Sequence, residues 1–272
     1  MGADTRELPD EIQVAVERLT LTLHRSERTA TDVVLVAPGL NNNVHATQPL
    51  IAVLNGSGYD CLSVRLQFGR RLSSDEIARE WVAAIADAYA VARDGYRQHS
   101  IHSVAYSLGA LTTLMFLQDT PAASLERLFL IAPPLALTRS AGLVRHLTPL
   151  RHVGAALPSL APRSIRERAF TTLADYHAML TLVNELNRIR VADNIRRAQV
   201  RCIVSAKDEM VDAAGVRAWI QQQGLDWTVR TLGKNLTGSG PHHLLLSERS
   251  MGSEGWRALT GEMLAHFSHK PR

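Results

Sequence analysis

The stretch Val104-Ala105-Tyr106-Ser107-Leu108-Gly109-Ala110 joins an apolar run to a helical pattern with no loop between them. A serine in that place is either an ordinary helix N-cap or a nucleophile on a strand-to-helix elbow of the form Gly-x-Ser-x-Gly. The elbow turns so tightly that the residues two before and two after the serine must be small. Gly109 meets that demand, and Ala105 adds a single methyl. An N-cap needs neither small neighbour, so these residues favour the elbow. An elbow also lifts the hydroxyl above the carboxyl edge of a sheet and leaves the first helical N–H groups free for an anion.

The flanking sequence agrees with such a sheet. Short β-branched runs alternate with longer helical patterns, which predicts βα units and a doubly wound, mostly parallel α/β architecture. Strands are expected at 18–24, 32–39, 61–66, 100–106, 126–134, 199–206 and 226–232. Ser73 and Glu76 make a capping-box pattern ahead of a helix with Ile77, Trp81, Ile85 and Ala88 on one face. Further helices are expected at 107–118, 213–224 and 254–267. Residues 135–192 break the rhythm. They are rich in Leu, Ala and Arg, contain Pro149, Pro158 and Pro162, and read as several short helices. The expected division is an α/β core of residues 1–134 and 193–272 with a helical cap at 135–192.

Composition narrows the function classes. The 272 residues are 46% hydrophobic and 21% charged, ordinary for a globular enzyme that builds its core without disulfides. The net charge is +4, with Lys207, Lys234 and Lys270 as the three lysines and arginine supplying the other basic residues. The arginines are spread along the chain, with no basic tail or groove-reading motif, which argues against nucleic-acid binding. Cys61 and Cys202 lie in apolar runs and read as buried free thiols, suited to a reducing compartment. No Cys/His cluster points to a metal. The charged start has no apolar stretch of signal-peptide length and no window is long enough for a membrane span, so a cytoplasmic chain is expected.

A serine nucleophile needs a base and a group that orients the base. In this class of elbow the order along the chain is Ser, acid, His. Asp208 follows the strand 199–206, at the strand end where ligands gather in open α/β sheets. Glu209 and Asp212 are its near rivals. Adjacent His242 and His243 follow the last strand on a Gly-rich loop. They point in different directions, so one of the two faces Ser107. His243 runs directly into Leu244-Leu245-Leu246, which would pack on the sheet and hold the loop, and is preferred, with His242 as the alternative base. The arginines of the cap, Arg139, Arg145, Arg151, Arg163, Arg166 and Arg168, read as solvated helix faces. Two N–H donors must also meet the developing oxyanion. Leu108 supplies one. The turn Pro38-Gly39-Leu40 after the strand 32–39 supplies the other through Leu40. The run Asn41-Asn42-Asn43 reads as turn chemistry.

With these residues in place the chain resembles the α/β-hydrolase superfamily, and most of all its small-cap carboxylesterases and the monoacylglycerol-lipase or serine-aminopeptidase type. The likeness spans about residues 18–268. It rests on the elbow Ala105–Gly109, the acid loop Ser205–Val211 and the His loop Gly238–Leu246. The family's Gly-x-x-Asp-x-x-Val appears here with Ser205 in place of the glycine. Its His-Gly-Leu oxyanion loop appears as Pro38-Gly39-Leu40, without the histidine. The resemblance implies Ser107 as nucleophile, Asp208 as orienting acid, His243 as base, and Leu40 and Leu108 as oxyanion donors, with no metal or organic cofactor. It implies hydrolysis of small to medium acyl esters. A thioesterase, an amidase or peptidase, an acyltransferase and a non-catalytic binding protein are the alternatives, and the complete Ser, Asp, His order argues against the last.

Overall fold

The computed structural model describes residues 21–28, 32–159, 161–233, 238 and 241–268. Along the chain run β1 (Thr22–His24), β2 (Val33–Ala37), α1 (Gln48–Gly56), β3 (Asp60–Ser63), α2 (Ser74–Gly95), β4 (Ile101–Tyr106) and α3 (Leu108–Asp119). They are followed by β5 (Arg127–Ile131), the short α4 (Arg139–Gly142) and α5 (Val144–Leu147), and a 3₁₀ turn at Thr148–Val153. Next come β6 (Ala156–Pro158), β7 (Phe170–Thr172), α6 (Leu173–Arg188) and α7 (Asp193–Arg197). The chain closes with β8 (Gln199–Ser205), α8 (Ala213–Gln222), β9 (Thr228–Leu232) and α9 (Glu248–Ser268).

Among the described residues seven strands form one sheet in the order β1-β3-β2-β4-β5-β8-β9. Every pairing is parallel except that of β1 with β3, which is antiparallel at the edge. The strands β2, β4 and β5 are buried along their whole length, as expected of strands covered on both faces. The chain order reverses beside β4, and at such a switch point a crevice opens outside the carboxyl ends of the strands.

The sheet matches the architecture expected from the sequence, with strand ends shifted by a few residues. Residues 18–20 of the expected first strand lie outside the described residues. The strand expected at 126–134 stops at Ile131, because Ala132 turns to a φ of 48° and two prolines follow. The capping box before α2 is formed: the Ser73 hydroxyl accepts from the Glu76 N–H, and Glu76 bonds back to the Ser73 N–H. The helix expected at 254–267 begins earlier, at Glu248, and bends at Gly252, where φ is 77°.

The segment 135–192 is more varied than a set of short helices. It holds the antiparallel ribbon β6–β7 and the 16-residue α6, which packs against α2 and α3. Thr172 and Asp175 cap α6 reciprocally. The Asp175 carboxylate is fully buried and also accepts the Gly69 N–H, which ties this segment to the loop after β3.

Candidate active site

The last residue of β4, Tyr106, leads straight into Ser107, and α3 begins at the next residue. Ser107 has φ 49° and ψ −116°, a backbone region that an L-residue enters only where the surroundings impose it. Its N–H donates to the Ile131 carbonyl at 2.8 Å and its carbonyl accepts from Ala110 at 2.9 Å, so both sides of the turn are pinned. The side chain makes no helix-capping hydrogen bond. The hydroxyl is therefore free for another partner, and the cap explanation of this serine fails.

The small neighbours have visible reasons. A Cβ on Gly109 would lie 2.5 Å from the Ala37 carbonyl oxygen, closer than any side chain tolerates. Ala105 is fully buried and pairs with Ala37 across β4 and β2. It is not among the residues with positive φ, so its backbone does not call for glycine.

The Ser107 hydroxyl stands 3.0 Å from His243 Nε2. On the other side of the ring, His243 Nδ1 is 3.0 Å from each Asp208 carboxylate oxygen. Asp208 Oδ1 also accepts the N–H groups of Met210 and Val211 at 2.8 Å, and its side chain is fully buried. The structure thus brings Ser107, His243 and Asp208 into one hydrogen-bonded chain. In that chain a proton can pass from the hydroxyl to the ring while the carboxylate fixes the ring's other nitrogen. The alternative base His242 has no side-chain link to Ser107. Glu209 and Asp212 are not the ring's partners: Asp212 caps α8 through the Ala214 N–H.

Two features of this half were not legible in the sequence. Glu209 takes the His242 and His243 N–H groups with its two carboxylate oxygens at 2.9 and 3.0 Å. The Tyr106 hydroxyl donates to the His243 carbonyl at 3.1 Å. Burial first, then the nearby Asp208 and Glu209 charges, push the Tyr106 phenol pKa well up, so it remains a donor.

Across the pocket lies the Pro38-Gly39-Leu40 turn. A Cβ on Gly39 would stand 2.6 Å from the buried Tyr106 ring and from Asn42 Oδ1, so a side chain there would have to displace both. The Asn42 N–H closes it on the Gly39 carbonyl at 3.2 Å. The three asparagines do more than turn the chain. Asn41 sits at φ 56°, donates to the Arg168 carbonyl and Thr171 hydroxyl at 2.9 and 3.1 Å, and accepts the Arg168 N–H at 2.9 Å. Asn43 reaches the Ser164 and Ile165 carbonyls at 3.1 and 2.9 Å. This loop is held by residues 164–171 of the 135–192 segment.

A cavity of about 450 Å³ opens at Ser107, within the range of small-molecule sites. Leu40, Tyr106, Met179, Met210 and Leu244 give it an apolar lining, and Ser159, Ala161, Thr171 and Tyr176 come from the 135–192 segment. The arginines of that segment are absent from the lining, but they are not all solvated helix faces: Arg163, Arg166 and Arg168 lie outside the helices, and Arg166 and Arg168 donate to the Ser159 and Phe68 carbonyls. Cys61 and Cys202 are buried and free, and burial raises both thiol pKa values. Among the described residues no His, Cys, Asp and Glu cluster is placed to hold a metal, and no helix is long and apolar enough to cross a membrane.

No protein-family model and no curated protein matches the sequence. Solved structures do match in shape. A soluble variant of monoglyceride lipase from Saccharomyces cerevisiae, in complex with a substrate analogue, superposes with a TM-score of 0.72 at 9% identity, over 91% of this chain and 90% of that one. The monoacylglycerol lipase of Paleococcus ferrophilus gives 0.65 at 15% identity, over 90% of this chain and 99% of the other. A thermostable carboxyl esterase from Bacillus coagulans gives 0.62 at 11% identity, over 90% and 93%. At such identities the likeness speaks for architecture. In its sheet order, its elbow and its shape, this chain has the α/β-hydrolase fold.

Proposed function

We propose that the chain is a serine hydrolase that cleaves carboxylic esters of small to medium acyl chain. One observation carries the reading: the continuous hydrogen-bonded chain from Ser107 through His243 to Asp208, at the floor of a largely apolar cavity. His243 Nε2 takes the Ser107 proton as the oxygen attacks the ester carbonyl carbon. Asp208 keeps the ring in the tautomer that leaves Nε2 free and steadies the imidazolium. The Leu40 and Leu108 N–H groups receive the oxyanion. His243 returns the proton to the departing alcohol, leaving an acyl group on Ser107. A water deprotonated by the same ring then attacks the acyl carbon, and the acid leaves as Ser107 regains its proton.

Among the described residues the lining carries no Arg or Lys, which supports a neutral acyl chain over an anionic group. The 135–192 segment serves as the cap over that chain. Buried, unpaired cysteines fit a reducing compartment such as the cytoplasm. A panel of p-nitrophenyl esters from acetate to palmitate, set beside matched anilides and thioesters, tests the proposal. Turnover is expected to peak at intermediate ester lengths and to be much slower on anilides. Fastest turnover on thioesters or anilides would replace ester hydrolysis by another acyl transfer.

A further inference from the structure

The backbone of His243 is held by the chain neighbours of its two partners. Glu209 follows Asp208, and its carboxylate spans the His242 N–H at Oε1 and the His243 N–H at Oε2. Tyr106 precedes Ser107, and its hydroxyl binds the His243 carbonyl. The ring stands on a Cα whose N–H and C=O are therefore each tied to one end of the triad. Fixing both groups fixes the pivot from which Nε2 reaches Ser107 and Nδ1 reaches Asp208.

We infer that Glu209 is a positioning residue for the proposed reaction, with Tyr106 as the second arm of a clamp that sets His243 between Asp208 and Ser107. The inference rests on the hydrolase reading and adds to it. Two successive N–H groups call for two acceptors at once. A carboxylate offers two, whereas an amide offers one acceptor and turns a donor toward the other N–H. Glu209 also lines the cavity, which raises the thought of a substrate-binding charge. Both of its oxygens are engaged by the histidine loop, so its task is the loop. Tyr106 is the lesser arm, because the Leu245 N–H also reaches the His243 carbonyl, at 3.0 Å.

The rate at which a fluorophosphonate probe labels Ser107 reads the Ser107–His243 pair without assuming a substrate. Wild type, Glu209→Ala, Glu209→Gln and Tyr106→Phe are compared at matched melting temperature and folded fraction. Glu209→Ala is expected to slow labelling about 10- to 100-fold, the scale of a misplaced catalytic group. Glu209→Gln, nearly the same in volume and so secure in folding, falls between it and wild type, and Tyr106→Phe shows the smallest loss. With the best ester, kcat falls in step while KM stays within about twofold, and the downfield proton resonance of His243 Nδ1–H broadens. Wild-type labelling rates in both Glu209 variants would overturn the inference. So would a raised KM with unchanged kcat, which marks a substrate contact. Failure of wild type itself to label would instead remove the hydrolase reading, and the clamp with it.

Discussion

The two halves of the site are tied to the 135–192 segment at different places, one through residues 136–138 and the other through residues 164–171. Ser107, Asp208 and His243 rise from the carboxyl ends of β4 and β8 and from the loop before α9, and their supports, Tyr106 and Glu209, are the chain neighbours of Ser107 and Asp208. The turn proposed to receive the oxyanion also follows a sheet strand, yet its asparagines bond to residues 164–171. In the proposed reaction the proton-transfer chain stands at the sheet's carboxyl edge and is tied to residues 136–138, while the oxyanion turn is tied to residues 164–171. A change confined to residues 164–171 reaches the Leu40 side before it reaches Ser107, His243 and Asp208.

The largest effects fall on the sheet-hung half. Ser107→Ala and His243→Ala are expected to lower kcat by about 10⁴-fold or more, while His242→Ala stays within about threefold, all read by steady-state ester hydrolysis. Loss of activity on His242→Ala with retention on His243→Ala would reverse the assignment of the base. Next comes the half held by residues 164–171. Asn41→Gly preserves the left-handed backbone at that position and removes the hydrogen bonds to Arg168 and Thr171. It should lower kcat about 10- to 100-fold with little change in the rate of fluorophosphonate labelling relative to Glu209→Ala. Equal losses in both assays would mean that the halves are not mechanically separate.

The smallest effect is on stability in acid and lies outside both halves. Burial, then the Arg201 and Arg127 charges, push His266 in α9 down to about 4 from the ordinary 6.5. Burial also lowers His102 in β4. Below pH 6.5 the unfolded chain takes up protons that these folded histidines refuse, so stability falls as pH drops from 6.5 toward 4. The melting temperature should decline by several degrees over that window, and His266→Gln should flatten the decline. A melting temperature independent of pH there would contradict the assignment of His266 as a neutral buried group.

The parts of the site that follow from local pattern were legible in the sequence. Ser107 with Gly109 announced the elbow, the strand before Asp208 announced the acid, and the leucines after His243 chose between two histidines. Ser73 and Glu76 announced the start of α2. What escaped has a common cause. The ribbon β6–β7 has three-residue strands, too short to stand out among prolines and arginines. Asn41 and Asn43 looked like turn residues because their partners lie more than 120 positions away. Glu209 looked like a rival to Asp208, since nothing in the order of residues says which of two adjacent acids meets the ring and which meets the backbone. The helix α1 was overlooked although Pro49 at its start and Gly56 at its end are ordinary helix punctuation.

The central claim is that Ser107 is a nucleophile activated by His243. Treating the folded protein with a fluorophosphonate probe and mapping the adduct by peptide mass spectrometry tests it most directly. A single adduct on Ser107 is expected, lost on prior unfolding and in His243→Ala. No adduct on the folded protein, or an adduct on another residue, would contradict it.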